Sequence, residues 1–130
     1  MSKIPDGLYY SSSHEWAESK DGKVTIGISD HKQAEMGDMV YVNFPRVGAS
    51  FNLGESLGYV EAVKVVSEIY IPVTGEVIEI NSLVDDDPEL VNSDPYGDGW
   101  IVRVKPSNLK ELDDLMSADD YRKFVAEEDG

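Results

Sequence analysis

Residues 60–77 read VEAVKVVSEIYIPVTGEV, a long run of apolar and β-branched residues that contains one basic residue, Lys64. Runs of this composition typically form β-strands. Because a buried ammonium group is costly unless it is paired, Lys64 is expected where the chain reverses and its amine reaches water. The stretch therefore predicts a β-hairpin with Lys64 at its tip. The position of this charge alone is equally consistent with an ordinary, solvent-exposed lysine in a turn.

Signals on the N-terminal side of this stretch predict a second hairpin and a short helix. Asp21-Gly22 is a tight-turn signal, and it places residues 15–17 beside residues 24–28. Ser29 is a suitable N-cap for a connecting helix near residues 31–36. The middle of the chain is otherwise a series of short apolar runs separated by Gly and Pro, which is typical of strands.

The C-terminal quarter has a different periodicity. Its apolar residues recur three and four positions apart, which predicts one apolar helical face packed over the sheet. The residues on this face are Leu109, Leu112, Leu115, Met116, Tyr121, Phe124 and Val125.

Two segments in the middle of the chain resemble each other. Residues 37–43 and 75–81 share a Gly-acid-apolar-apolar-x-apolar-Asn pattern at an offset of 38 positions. Gly54 and Asn92 each lie 17 positions after the opening glycine and both accept left-handed backbone, which predicts comparable turns. The pattern favours two similar β units in a flattened barrel or sandwich, although short apolar alternation also recurs by coincidence.

Composition narrows the classes of function. The chain has 130 residues, 41% of them hydrophobic, which is enough for a single domain over residues 1–130. Its net charge of −15 argues against nucleic acid and anionic membranes as partners. The absence of cysteine excludes disulfides, thiolate metal clusters and a cysteine nucleophile. Two histidines are few for a histidine-based zinc site.

The sequence also bears on location. No apolar stretch approaches the roughly 18 residues of a membrane-spanning helix. Residues 1–5 have neither the apolar core of a secretory signal nor the Arg and Ser bias of a transit peptide. These features predict a soluble, cytoplasmic chain with no membrane partner.

Residues 61–77 resemble the lysine hairpin of swinging-arm carrier domains, in which a Pro-x-x-Gly turn follows the modified lysine. Biotin carriers usually flank that lysine with methionines, so Val63 and Val65 favour lipoate. The Glu-x-Val-Lys form is similar to the H-protein family of the glycine cleavage system. Further segments of the family follow in the family order, and the resemblance covers about residues 8–125: HEW at 14–16, GISD at 27–30, GDMVYV at 37–42, PRVG at 45–48, PELVN at 88–92 and PYGDGW at 95–100.

Two positions depart from the usual family pattern. Val65-Val66 stands where the family usually has Ala or Thr after the lysine, and Lys32 stands where Ala is more frequent. The acceptor lysine itself is present.

The resemblance implies a mainly β, barrel-sandwich fold of the lipoyl and biotinyl carrier type, with a short connecting helix and a C-terminal helix. It implies a carrier, not an enzyme, with lipoate attached covalently to Lys64. The implied function is transfer of the aminomethyl group of glycine. The implied partners are a pyridoxal-phosphate-dependent glycine decarboxylase, a tetrahydrofolate-dependent aminomethyltransferase, dihydrolipoyl dehydrogenase and a lipoate-attaching enzyme.

The carried aminomethyl group is a primary amine that is cationic at neutral pH, so an acidic cradle away from bulk water would protect it. Glu15 and Glu68, with Ser13, are candidates for this cradle, although ordinary surface carboxylates are expected in a chain with 26 acids. His14 lies between Ser13 and Glu15 in sequence. Contiguous residues of a strand alternate faces, so the three cannot form a catalytic triad, and His14 is expected to be structural or on the surface.

Two other functions compete with this interpretation. A lipoyl carrier of the same fold that donates lipoate in another process would use the same hairpin. An enzyme that uses Lys64 as a Schiff-base amine is a different class, and it requires a deprotonated lysine. The acidic neighbours Glu61 and Glu68 favour the protonated form instead.

Overall fold

The computed structural model describes residues 2–129. Two antiparallel sheets and several short helices make up this part of the chain. The strands are β1 (Tyr9–Tyr10), β2 (Glu15–Lys20), β3 (Lys23–Ile28), β4 (Met39–Asn43), β5 (Ser50–Phe51), β6 (Ser56–Ala62), β7 (Val66–Tyr70), β8 (Gly75–Ile80) and β9 (Val102–Pro106). The helices are α1 (Asp30–Met36), α2 (Ser82–Asp86), α3 (Leu90–Ser93), a 3₁₀ helix (Leu109–Asp114) and α4 (Ala118–Asp129).

Strand pairing divides the strands between a larger and a smaller sheet. The six-stranded sheet has the order β1-β2-β3-β9-β8-β5, and the three-stranded sheet has the order β4-β6-β7. Apolar side chains from both sheets form one buried core, so the predicted mainly β class is confirmed. Its members include Val24, Ile26, Val60, Ile69, Val77 and Val104. Among the helices of residues 2–129, none is long and apolar enough to cross a membrane.

The hairpin predicted from Asp21-Gly22 is confirmed. Both turn residues have positive φ, 54° for Asp21 and 78° for Gly22, as a tight turn between twisted strands requires. β2 and β3 pair along their whole length, with Trp16 opposite Gly27. A Cβ atom on Gly27 would lie 2.7 Å from the indole of Trp16, so only glycine leaves room for this ring.

The short connecting helix is also confirmed. The Oγ of Ser29 accepts a hydrogen bond from the backbone N–H of Lys32, which caps the N-terminus of α1. Gly37 follows the helix with φ of 86°, a conformation that suits glycine. α1 leads directly into the three-stranded sheet through β4.

The predicted C-terminal helix is confirmed as α4, but the prediction that residues 109–125 form one helical apolar face is wrong. A 3₁₀ helix ends at Asp114, and α4 begins only at Ala118. Between them, Met116 exchanges two backbone hydrogen bonds with Tyr10, at 2.9 and 2.8 Å. These bonds hold Met116 in extended backbone and so interrupt the helical repeat.

The two similar segments form strands in different sheets. β4 is an edge strand of the small sheet, whereas β8 lies between β5 and β9 in the large one. Gly54 has φ of 88° and forms the expected turn. Asn92 does not, because it lies in α3, where its side chain bonds to residues around Gly37. The prediction of comparable turns is therefore wrong.

Candidate functional site

The structure places Lys64 at the tip of the hairpin formed by β6 and β7, as predicted. Glu61 pairs with Val66, and the N–H of Ala62 donates to the carbonyl of Val65 over 2.8 Å, which closes the turn through the backbone. Lys64 is exposed, and within residues 2–129 it forms no ion pair. The amine is thus presented on a turn whose shape does not depend on it.

Apolar side chains surround the exposed lysine. Val63 is 72% exposed and Val65 is 43% exposed, and Val66 is exposed at the start of β7. Exposed aliphatic residues at a turn do not contribute to the core, so they are available for contact with another molecule.

Glu15 lies at the start of β2 and is only 1% exposed. Its Oε1 accepts hydrogen bonds from the hydroxyls of Ser11 and Ser13. Its Oε2 accepts the backbone N–H of Tyr70 over 3.1 Å. These three donors stabilise a buried carboxylate. The alternative of an ordinary surface carboxylate is therefore wrong for Glu15.

Glu68 is exposed on β7, two residues before Tyr70 and on the same face of the strand. The hydroxyl of Tyr70 donates to Oε2 of Glu68 over 3.0 Å. This hydrogen bond and the negative charge of Glu68 raise the pKa of Tyr70. Tyr70 thus connects Glu68 to Glu15, through its hydroxyl on one side and its backbone on the other.

A cleft of about 380 Å³, here called the Glu15 cleft, lies over this network. Ser13, Glu15 and Tyr70 line one part of it, and Leu53, Pro72 and Phe124 line another. Two larger clefts, of about 530 and 560 Å³, lie elsewhere and are not lined by Glu15. Lys64 and Glu68 line none of these three clefts. The smaller cleft is the candidate site because the buried carboxylate of Glu15 lines it, beside Tyr70 at the end of β7.

Of the predicted site residues, the structure brings Ser13 and Glu15 into direct contact and connects Glu68 to them through Tyr70. Sequence reasoning missed Ser11 and Tyr70. Strand alternation is a signal for Tyr70, since it shares a face with Glu68. No comparable signal identifies Ser11, which reaches Glu15 through an irregular turn.

His14 points away from Ser13 and Glu15, so the three residues form no triad. It is buried, and its ring bonds to the hydroxyl of Tyr121 and to the carboxylate of Glu128. Of the two positions expected for His14, structural or on the surface, the structure shows the buried, structural one.

Comparisons with known proteins agree with this arrangement. The sequence profile of the family described as "Glycine cleavage H-protein" matches residues 8–128. The chain is 49% identical to the glycine cleavage system H protein of Alkalilimnicola ehrlichii, over 99% of this chain and 100% of that protein. It is 51% identical to the H protein of Shewanella loihica, over 98% and 100%. It is 47% identical to the mitochondrial H protein of Flaveria pringlei, over 99% of this chain and 80% of that protein.

A solved structure shows the same fold. The crystal structure of a glycine cleavage system H protein from Mycobacterium marinum superposes with a TM-score of 0.88 at 36% identity, over 95% of this chain and 99% of that one. The likeness supports the barrel-sandwich architecture. The relatives share one name, which does not favour the alternative of a lipoate donor in another process. The chain belongs to the glycine cleavage H-protein family and is a carrier of the glycine cleavage system, not an enzyme.

Proposed function

We propose that Lys64 carries lipoate in amide linkage and that the chain uses this arm to shuttle the aminomethyl group of glycine. The observation that carries the proposal is the exposure of Lys64 at the tip of the β6–β7 hairpin, on a turn closed by backbone hydrogen bonds. A modifying enzyme can reach such an amine without unfolding the sheet. Exposed lysines are protonated at neutral pH, so the attaching enzyme supplies the base that frees the nucleophile.

We assign the Glu15 cleft to the far end of such an arm. When bound, the lipoyl group supplies a dithiolane that accepts the aminomethyl group and later releases it. The carried group is a cationic primary amine, and the cleft offers it a buried carboxylate. A carboxylate has about four acceptor positions, and Ser11, Ser13 and Tyr70 occupy three of those on Glu15. One position on Oε2 is left for an ammonium donor.

Glu68 lies outside the lining of the cleft and adds a further negative charge beside Tyr70. It is exposed, and its orientation is set by the hydrogen bond from Tyr70. We assign Ser13, Glu15 and Glu68 to a cradle that holds the amine by charge and limits its contact with bulk water. Ser13 contributes by holding Oε1 of Glu15, which leaves Oε2 directed toward Tyr70.

The carrier role in the glycine cleavage system implies that other components of that system bind the chain in turn. We infer that these partners are the pyridoxal-phosphate-dependent decarboxylase, the aminomethyltransferase, dihydrolipoyl dehydrogenase and a lipoate-attaching enzyme. The exposed valines at positions 63, 65 and 66 offer the decarboxylase, the aminomethyltransferase and the dehydrogenase an apolar contact beside Lys64, whereas we expect the attaching enzyme to recognise the shape and exposure of the turn. Nucleic acid and anionic membranes are disfavoured by the net charge of −15.

We also propose that residues 1–130 act as one carrier domain, with a core over about residues 8–125, and that the chain works in the cytoplasm. A single cooperative unfolding transition supports one domain, and two separate transitions contradict it. Cell fractionation with an antibody to the chain tests the compartment.

Lipoylation in vitro tests the central assignment. The unmodified chain is incubated with lipoate, ATP and a lipoate ligase, and its intact mass and peptide map are measured. We expect one lipoyl addition on Lys64 and none in the Lys64→Arg variant. Lys105→Arg, at another exposed lysine, is the matched control and should accept the group normally. Addition at a different lysine, or no addition to the folded chain, would contradict the proposal.

Carrier activity is then measured with the glycine decarboxylase. The lipoylated chain should support exchange between labelled bicarbonate and the carboxyl group of glycine, and the unmodified chain should not. Lipoylation without exchange would leave Lys64 as an acceptor but reject the glycine cleavage role.

A further inference from the structure

The two histidines of the chain lie next to each other beneath the C-terminal helix. His14 precedes β2 and His31 lies in α1, and their ring centroids are 5.0 Å apart. His14 is 7% exposed and His31 is 5% exposed. Glu128, in the last turns of α4, completes a group in which one ligand atom from each residue lies within 4.8 Å of the others.

His31 brings an unpartnered nitrogen to this group. Its Nε2 is buried and has no hydrogen-bond partner among the described residues. Oε1 of Glu35, one helical turn later, lies 3.4 Å away, but this contact lacks hydrogen-bond geometry. A buried ring nitrogen without a hydrogen-bond partner destabilises the folded chain, so its presence at this position needs an explanation.

His14 is oriented by a chain of hydroxyl groups. Oγ of Ser29 lies 2.7 Å from the hydroxyl of Tyr121, and this hydroxyl lies 2.7 Å from Nδ1 of His14. The opposite ring atom, Nε2, faces the carboxylate of Glu128 at 3.0 and 3.1 Å. In a metal-binding histidine, the ring nitrogen that does not bind the metal usually bonds to a neighbouring group. This bond fixes the direction of the nitrogen that binds the metal.

We propose that Nε2 of His14, Nε2 of His31 and a carboxylate oxygen of Glu128 bind a divalent transition-metal ion of the zinc class. Glu35 lies outside this group, but its side chain is 54% exposed and its Oε1 lies 3.4 Å from Nε2 of His31, so it can turn in as a fourth ligand. Two imidazoles with carboxylates suit Zn²⁺, whereas Mg²⁺ and Ca²⁺ prefer oxygen ligands alone. Tetrahedral ligands lie about 3.3 Å apart when metal bonds are about 2.0–2.1 Å. The distance of 3.0 Å between His14 and Glu128 and the distance of 3.4 Å between His31 and Glu35 are each close to that spacing.

The three ligand atoms lie within 4.8 Å of one another, and Glu128 is the exposed member of the group. Its side chain is 36% exposed, so it can move toward both rings without repacking the core. From the sequence, two histidines are few for a histidine-based zinc site. In this group the carboxylates supply the ligands that further histidines would otherwise provide. The site lies apart from Lys64 and would fasten α4 to α1 and to the turn before β2.

Zinc titration of the full, unlipoylated chain tests the site, because no dithiol is then present to compete for the metal. The titration uses isothermal calorimetry and native mass spectrometry in excess Mg²⁺, which occupies unspecific carboxylates. We expect one Zn²⁺ per chain and a melting temperature that rises with zinc concentration. Co²⁺ in place of Zn²⁺ should give the visible absorption of a tetrahedral site.

The variants are His31→Gln and Glu128→Gln, and each should weaken zinc binding on the order of tenfold or more. Glu127→Gln is the matched control, since it removes the same charge from the adjacent, exposed position of α4. If the His31→Gln variant does not fold, Glu128→Gln tests the site, because a substitution at this exposed position should leave the fold intact. Equal affinity of the wild-type, Glu127→Gln and Glu128→Gln chains, or no stoichiometric binding at all, would overturn the proposal.

Discussion

The backbone N–H of Tyr70 donates to Oε2 of Glu15 over 3.1 Å, and this bond joins the end of β7 in the small sheet to the start of β2 in the large one. Because β7 begins two residues after Lys64, the hairpin that presents the lysine is tied at its far end to a buried carboxylate. The same tyrosine holds Glu68 through its hydroxyl. One residue thus organises both acids of the proposed cradle.

Replacing Glu15 and Glu68 together by Gln should shorten the lifetime of the carried aminomethyl group. A charge-assisted hydrogen bond contributes about 1.5–3 kcal/mol, so we expect hydrolysis to be faster on the order of tenfold. The loss of the aminomethyl mass from the loaded chain is followed over time. Glu61→Gln, on the neighbouring strand, is the control, and an unchanged lifetime in the double variant would reject the cradle.

Much of the fold could be predicted because its signals are local. One lysine in an apolar run fixes a turn, and Asp21-Gly22 supplies the positive φ angles that a tight hairpin needs. Ser29 caps α1 within three residues of itself. In each case the residues that decide the structure are close together in sequence.

The features that could not be predicted depend on distant partners. Met116 leaves the helical repeat because its backbone bonds to Tyr10, which is far away in sequence. The burial of Glu15 depends on Tyr70, and nothing near Glu15 identifies that residue. His14 and His31 become neighbours only when α1 packs against the turn before β2.

Val65→Ala should leave lipoylation of Lys64 unchanged. Val65 is 43% exposed, and the turn is held by its carbonyl, which alanine retains. Stability should change by no more than about 0.5 kcal/mol. Initial rates of lipoylation and urea unfolding of both chains measure these effects. A rate that rises or falls markedly would show instead that the attaching enzyme contacts this side chain.

Gly27→Ala should destabilise the chain by about 1–3 kcal/mol, the usual cost of overpacking a core. The added Cβ would lie 2.7 Å from the indole of Trp16, a ring that is itself held by a hydrogen bond to the carbonyl of Pro95. Urea unfolding measures the loss. A double-mutant cycle with Trp16→Phe isolates the clash, and additive losses in that cycle would contradict it.

Alkaline pH should destabilise the chain, and Tyr96→Phe should reduce this effect. Burial raises the pKa of Tyr96 to about 12, from 10.0 in the unfolded chain. Between these values the unfolded state has lost more protons, so the free energy of unfolding falls as pH rises. Urea unfolding at pH 9 to 11 measures the slope. Tyr41→Phe, which removes an exposed phenol, is the control and should keep the wild-type slope.

The pairing of Tyr10 with Met116 brings the first strand of the chain against the segment that precedes its last helix. Arg122 extends this contact, since it donates to the carbonyl of Ile4 and to the carboxylate of Asp6 at 2.8 and 2.9 Å. The chain is therefore suited to circular permutation. A flexible linker would join the end of α4 to the segment before β1, and the chain would be opened at Asp21-Gly22, far in sequence from the lysine hairpin. A folded permutant that accepts lipoate at Lys64 would show that acceptance of the group depends on the assembled sheets and not on the order of the strands along the sequence.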